Sequence, residues 1–138
     1  MNQIARRLEE VRGTIAAAAQ RSRRDPAAVR LVAVSKTVDL ERIRAAIDAG
    51  QDLFGENYLQ EARDKIAVLG RQVSWHLVGS LQSNKARGAV ELFDLIHAVD
   101  RLKLALALDA AAARLGKVQD VLIQVNQAGE ATKSGVAP

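Results

Sequence analysis

Apolar, β-branched runs recur along this chain at a nearly constant interval, and that beat limits the folds open to it. Runs of strand character occupy Arg30–Ser35, Gln51–Phe54, Val73–Val78, Leu95–Val99 and Val118–Val125, and their starts lie 21, 22, 22 and 23 residues apart. Helix-like runs follow at Asp39–Ala49, Asn57–Leu69, Gln82–Phe93 and Asp100–Leu115, with one further helical start read at Ser134. Strand and helix alternating at so even a period predict consecutive βα units around a parallel sheet. Ahead of them Ile4, Leu8, Val11 and Ile15 keep helical spacing, which predicts an amphipathic helix over Asn2–Gln20, broken at Ser22–Pro26.

Local punctuation agrees with the beat. Gly50, Gly70 and Gly116 each follow a helical run, where a left-handed C-cap is wanted. Asp39 and Asp100 stand where N-caps belong, and their charge suits the positive end of a helix dipole. Leu102, Leu104, Leu106 and Leu108 alternate like a strand, but the alanine-rich tail through Ala113 favours helix.

Two architectures suit such a beat: a five-stranded doubly wound sheet, or a (β/α) TIM-type barrel. A closed barrel at this period needs on the order of 200 residues. The 138 residues here read as a single domain (1–138) of about five βα units after an N-terminal helix, too short for a closed barrel and without the complete fifth helix a doubly wound sheet would want, so spacing alone leaves both architectures open. An incomplete parallel sheet leaves an edge strand open.

Composition removes several function classes. A 49% hydrophobic and 26% charged chain is an ordinary globular one. The formal charge of +4 invites a nucleic-acid reading, but only Arg21-Ser22-Arg23-Arg24 is clustered, and one Trp, one Tyr and two Phe offer few stacking platforms. No nucleic-acid partner is expected. The absence of cysteine removes disulfides, thiolate zinc sites and thiol nucleophiles. Two histidines, His76 and His97, make no metal spacing, so no metal is expected. No run has transmembrane length and Met1-Asn2-Gln3-Ile4 opens no leader, so a cytoplasmic protein without membrane contact is expected.

The chemistry concentrates where apolar runs stop. Leu31-Val32-Ala33-Val34 ends at Ser35-Lys36-Thr37, placing Lys36 at the carboxyl end of a buried parallel strand, the end where α/β sheets and barrels keep their sites. Apolar walls around such an amine favour its neutral form, which attacks carbonyl carbon to give a Schiff base. Position alone is weak evidence, since most strand-end lysines are simply solvated. Phe54-Gly55-Glu56-Asn57-Tyr58 leaves the second strand towards the same end; Gly55 permits a tight turn and Asn57 offers a donor and an acceptor, or merely an N-cap. In Trp75-His76-Leu77-Val78 alternation puts His76 and Val78 on one face and Trp75 and Leu77 on the other. His76 could line a pocket, although a lone strand histidine is more often a satisfied core group. Gly79-Ser80 could turn amides towards an anion, yet neither a G-x-G-x-x-G nor a G-x-x-x-x-G-K-[ST] motif occurs. There is no G-x-S-x-G elbow, which argues against an α/β-hydrolase.

Four stretches in order, Ala33-Val34-Ser35-Lys36-Thr37, Phe54-Gly55-Glu56-Asn57-Tyr58, His76 through Lys85, and Glu130-Ala131-Thr132-Lys133-Ser134-Gly135, resemble the motif set of the YggS-type pyridoxal-phosphate homeostasis proteins. The resemblance runs from Leu31 onward and includes the N-terminal helix. It implies a barrel similar to the N-terminal domain of alanine racemase, with pyridoxal 5'-phosphate bound as a Schiff base to Lys36, Asn57 near the cofactor and His76 at a matching motif position. It implies cofactor buffering and delivery, with pyridoxal-phosphate-dependent apo-enzymes as recipients, and no convincing racemase activity, because the family lacks the second domain that supplies a racemase's tyrosine. It also implies that the phosphate-binding groups lie on later strands than this sequence contains. Two rival readings stand beside it: a racemase-like enzyme acting on amino acids, for which Tyr58 is the only tyrosine available, and a half-barrel fragment whose open edge recruits a partner or a second copy, so that an oligomer completes the barrel.

Overall fold

The computed structural model describes residues 2–138. Helix α1 (Gln3–Arg21) opens the chain and is followed by β1 (Ala33–Val34), α2 (Leu40–Asp48), β2 (Leu53–Glu56), α3 (Leu59–Leu69), β3 (Ser74–Leu77), α4 (Ala86–Leu92), β4 (Leu95–Val99), α5 (Leu102–Arg114) and β5 (Asp120–Ile123). The caps explain several boundaries. Asn2 Oδ1 accepts the Ala5 amide at 2.8 Å and Asp39 Oδ1 the Arg42 amide at 2.9 Å, each satisfying a free donor of a first helical turn. Gly50, Gly70 and Gly116 close their helices at φ +86°, +75° and +62°, a conformation that costs glycine nothing.

The strand order decides between the two architectures. All five strands are parallel and lie in the order β1-β2-β3-β4-β5, with no reversal. A doubly wound sheet would reverse its order and carry helices on both faces. Here consecutive helices are neighbours, α1 on α2 and so on to α5, over a single core. That core joins Phe54, Trp75, Leu77 and Ile96 of the sheet to Ile43, Ala62, Ile66, Val90, Leu104 and Leu108 of the helices. The result is an unclosed arc of a (β/α) barrel.

Register sorts side chains onto two faces. Ala33, Phe54 and Trp75 are paired across β1–β3 and face the helices, whereas Val34, Gly55, His76 and Leu95 form the row on the concave face. Trp75 is wholly buried, stacks on Phe54 with ring centres 5.6 Å apart, and donates Nε1–H to the Gly70 carbonyl. Alternation along the third strand is as expected: Trp75 and Leu77 are in the core, His76 is opposite.

The end of the chain departs from expectation. β5 is an edge strand with Val121, Leu122 and Ile123 all exposed. Among the described residues no helix starts at Ser134, so the arc is four βα units and a fifth strand. Gly129 and Gly135 sit at φ +67° and +129°, and the Asn126 side chain binds the Glu130 carbonyl, folding this stretch into a loop. Its return lays Val136 beside Val125, with the Val136 amide donating to the Gln124 carbonyl. The N-cap expected at Asp100 fails: Arg101 stands at the N-cap position of α5 without a side-chain cap bond, and Asp100 accepts from the Arg101 guanidinium at 2.6 Å instead. Tyr58, not Asn57, stands at the N-cap of α3, and a 3₁₀ turn at Ser83–Lys85 intervenes before α4.

Candidate functional site at the strand ends

Lys36 follows β1 by two residues and is exposed, so the desolvated setting expected for its amine is not formed by residues 2–138. Among the described residues its side chain makes no hydrogen bond or ion pair, which leaves the amine available to an incoming carbonyl. The turn beneath it is closed by the Val38 amide donating to the Ser35 carbonyl at 3.1 Å. Thr37, the third residue of that turn, has φ +62°, a left-handed conformation that is an outlier for a β-branched side chain. Such strain costs about 1–3 kcal/mol and persists only where the surroundings hold it.

What holds it lies on the helix side of the sheet. Ser35 is buried and its hydroxyl donates to Glu56 Oε1 at 3.1 Å. Lys65, from α3, is also buried, and its ammonium lies 2.6 Å from each of Glu56 Oε1, Glu61 Oε1 and the Ser35 carbonyl. Glu61 Oε1 additionally accepts the Thr37 amide at 2.5 Å. Burial pushes the fully enclosed Glu56 carboxyl above its usual value, against the pull of Lys65, and its second oxygen finds no partner. Hydrogen bonding to Lys65 holds Glu61 below its usual value.

On the concave face Gly55 is the close-packing point. A Cβ there would stand 3.0 Å from Val32 Cγ1 and 3.1 Å from Val78 Cγ1. One strand further, His76 Nδ1 lies 3.0 Å from His97 Nε2, so one imidazole donates to the other. Burial lowers both pKa values, His97's charge adding to the effect on His76. The pair is therefore neutral at pH 7, a polar but uncharged patch. Among the described residues no group of three or more His, Cys, Asp or Glu side chains gathers here or elsewhere.

Asn57 is half-buried beyond β2, and Gly79 passes directly over it: a Cβ on Gly79 would sit 3.0 Å from Asn57 Cα. A cleft of about 640 Å³ opens beside this contact, lined by Asn57, Tyr58, Arg63, Ser80, Lys85 and Arg101 among others. Neither Lys36 nor His76 lines it. The structure thus puts Lys36, Asn57 and His76 at successive strands of one sheet without gathering them into one cavity. A larger groove of about 1010 Å³ runs along the open edge of β1, under α1 and α2.

Sequence reasoning missed the buried triad and the histidine pair. Lys65 had a signal. It occupies the apolar stripe of α3 with Ala62, Ile66 and Leu69, four residues after Glu61, so a charge was bound to be buried there. The meeting of His76 and His97 depends on β3–β4 register, which sequence periodicity does not fix.

The family model described as alanine racemase, N-terminal domain, matches residues 7–138. The pyridoxal phosphate homeostasis protein of Escherichia coli K12 is 48% identical over 143 residues, covering 99% of this chain and 60% of that protein. The protein of the same name from Vibrio cholerae is 43% identical and 61% covered. Among solved structures, PipY of Synechococcus elongatus with pyridoxal phosphate bound superposes with a TM-score of 0.78 at 45% identity, covering 97% of this chain and 58% of that one. A protein of unknown function from Bifidobacterium adolescentis superposes with a TM-score of 0.89 at 36% identity. The chain spans about 60% of the length of the curated relatives it matches.

Proposed function

The chain belongs to the alanine racemase N-terminal domain family, and from that premise we propose that it binds pyridoxal 5'-phosphate through Lys36 and takes part in keeping that cofactor in supply. The observation that carries the reading is the placement of Lys36: an exposed, unpaired amine on a braced turn at the carboxyl end of a parallel strand. An aldehyde is what such an amine takes. The amine adds to the carbonyl carbon, water leaves, and a Schiff base remains. Asn57 and the neutral His76 are the polar groups of the next two strands and would meet the ligand's ring and its substituents. When bound, the cofactor would supply an electron sink. The residues of this chain anchor and orient it.

Storage and delivery fit better than turnover. Proton abstraction from an amino acid needs a base held opposite the lysine, and the one tyrosine, Tyr58, is exposed to solvent. Delivery would be to pyridoxal-phosphate-dependent apo-enzymes in the cytoplasm; no described helix is long and apolar enough to cross a membrane. Phosphate contacts would come from the part of the family's length that lies outside these 138 residues. Titration of the natural-length protein with pyridoxal 5'-phosphate, followed by imine absorbance, tests the reading. Saturable absorbance that Lys36→Ala abolishes is expected; the same absorbance in Lys36→Ala would overturn it.

A further inference from the structure

Lys65 is the only lysine or arginine among the described residues that is buried. Taking an ammonium out of water costs several kcal/mol. That cost is offset only where a carboxylate of good geometry is joined by acceptors for the remaining N–H groups, and those acceptors could come from any element packed nearby. Lys65 holds three oxygens at 2.6 Å, and the third partner is a main-chain carbonyl, that of Ser35. Its second carboxylate, Glu61, takes the main-chain amide of Thr37. The peptide groups on the two sides of Lys36 are thus tied to one buried charge cluster, while the Lys36 side chain is exposed and touches none of it.

The turn needs such a hold. Thr37 stands in the left-handed region at the position of a four-residue turn that glycine or asparagine would fill without strain. Fixing the Thr37 amide and the Ser35 carbonyl holds such a threonine in place, and relaxation would swing Lys36 off the strand end. The cluster reaches across three elements, Ser35 and Thr37 from the β1–α2 connection, Glu56 from β2, and Glu61 with Lys65 from α3.

We propose that Glu56, Glu61 and Lys65 are positioning residues for Lys36, clasping its turn in the strained conformation that presents the amine to a carbonyl ligand. The inference rests on Lys36 being the ligand anchor. Lys65 is not itself a competing anchor, since its ammonium is buried and fully engaged.

Lys65→Met would strand two carboxylates and threaten the fold, so the test uses Glu61, whose side chain is 25% exposed. Natural-length protein is compared with Glu61→Ala, Glu61→Gln, and Glu61→Ala combined with Thr37→Asn. Three readouts are taken: amide hydrogen exchange of Thr37 without ligand, the pH profile and affinity of imine formation with pyridoxal 5'-phosphate, and peptide mapping after borohydride reduction. Glu61→Ala is expected to lose Thr37 protection and weaken imine formation at Lys36 at least tenfold. Glu61→Gln, which keeps an oxygen for the Thr37 amide, should stay within threefold of the unsubstituted protein. Thr37→Asn, which tolerates the left-handed conformation, should restore most of what Glu61→Ala loses, a rescue that a merely structural role of Glu61 does not predict. If Glu61→Ala exposes the Thr37 amide yet leaves affinity and pH profile within twofold, the positioning role is overturned and Lys36 remains the anchor. If Lys36 is unlabelled in the unsubstituted protein, the anchor itself is overturned, and the positioning role with it.

Discussion

The two faces of the sheet carry different tasks, and one residue of strand parity separates them. On the helix face Phe54, Trp75, Leu77 and Ile96 are sealed in a continuous apolar core. On the concave face stand Val34, half exposed, then Gly55 and the His76–His97 pair, with Lys36 beyond them at the strand end. The helix face, open only at the edge strand β5, is packed over β2–β4, whose apolar positions meet the helices of this arc. The concave face is not, because in a barrel it is filled from strands across the axis. Stability is therefore local to consecutive βα units, whereas the site is assembled from distant ones. The charge cluster under Lys36 is the one device that reaches from the first face to the second.

If the division is right, substitutions sort by face. The largest effect is expected from Lys36→Ala: covalent capture of pyridoxal 5'-phosphate lost outright, with the unfolding free energy from urea titration changed by less than about 0.5 kcal/mol, as for other exposed side chains. Capture retained alongside a large stability loss would break the comparison. Next, Lys65→Met should destabilise by about 3–5 kcal/mol in denaturant titration, since the fully buried Glu56 carboxylate loses its cation partner. Gly55→Ala probes whether the concave face is already packed near β1–β3. The new methyl must displace Val32 or Val78, so a cost of about 1–3 kcal/mol is expected. A neutral result would mean that these valines move freely.

The smallest effect is the histidine pair's. Both imidazoles sit below their ordinary value because burial disfavours the imidazolium. The unfolded chain therefore takes up these protons first as pH drops below about 6.5. The pair's contribution to stability is full above that pH and is lost as pH falls towards the lowered folded values. His97→Gln should make the fall in urea midpoint between pH 7.5 and pH 5.5 shallower; a steeper fall would contradict the assignment.

Much of this was legible in the residues. The even beat of the apolar runs located every strand, and β4 falls on Leu95–Val99 as read. Strand parity alone puts Trp75 and His76 on opposite faces, as the structure has them. The failures were specific. A helix from Ser134 was read where Gly129 and Gly135 fold a loop, because the beat was extended past its last turn signal. Asp100 was read as a cap, but a neighbouring guanidinium outcompeted the backbone for its carboxylate. At the site, Lys36 was legible as a strand-end amine, while the clasp beneath it was not. Its contacts join residues as far apart as Ser35 and Lys65, and sequence spacing fixes only the Glu61–Lys65 step within α3.

The central claim is that Lys36, and not another of the chain's lysines, is the group that takes an aldehyde. The direct measurement is incubation of the natural-length protein with pyridoxal 5'-phosphate, borohydride reduction and peptide mass mapping. The account predicts one dominant modified peptide containing Lys36, formed at substoichiometric ligand. Modification spread over exposed lysines such as Lys85 and Lys133, with Lys36 untouched, would contradict it.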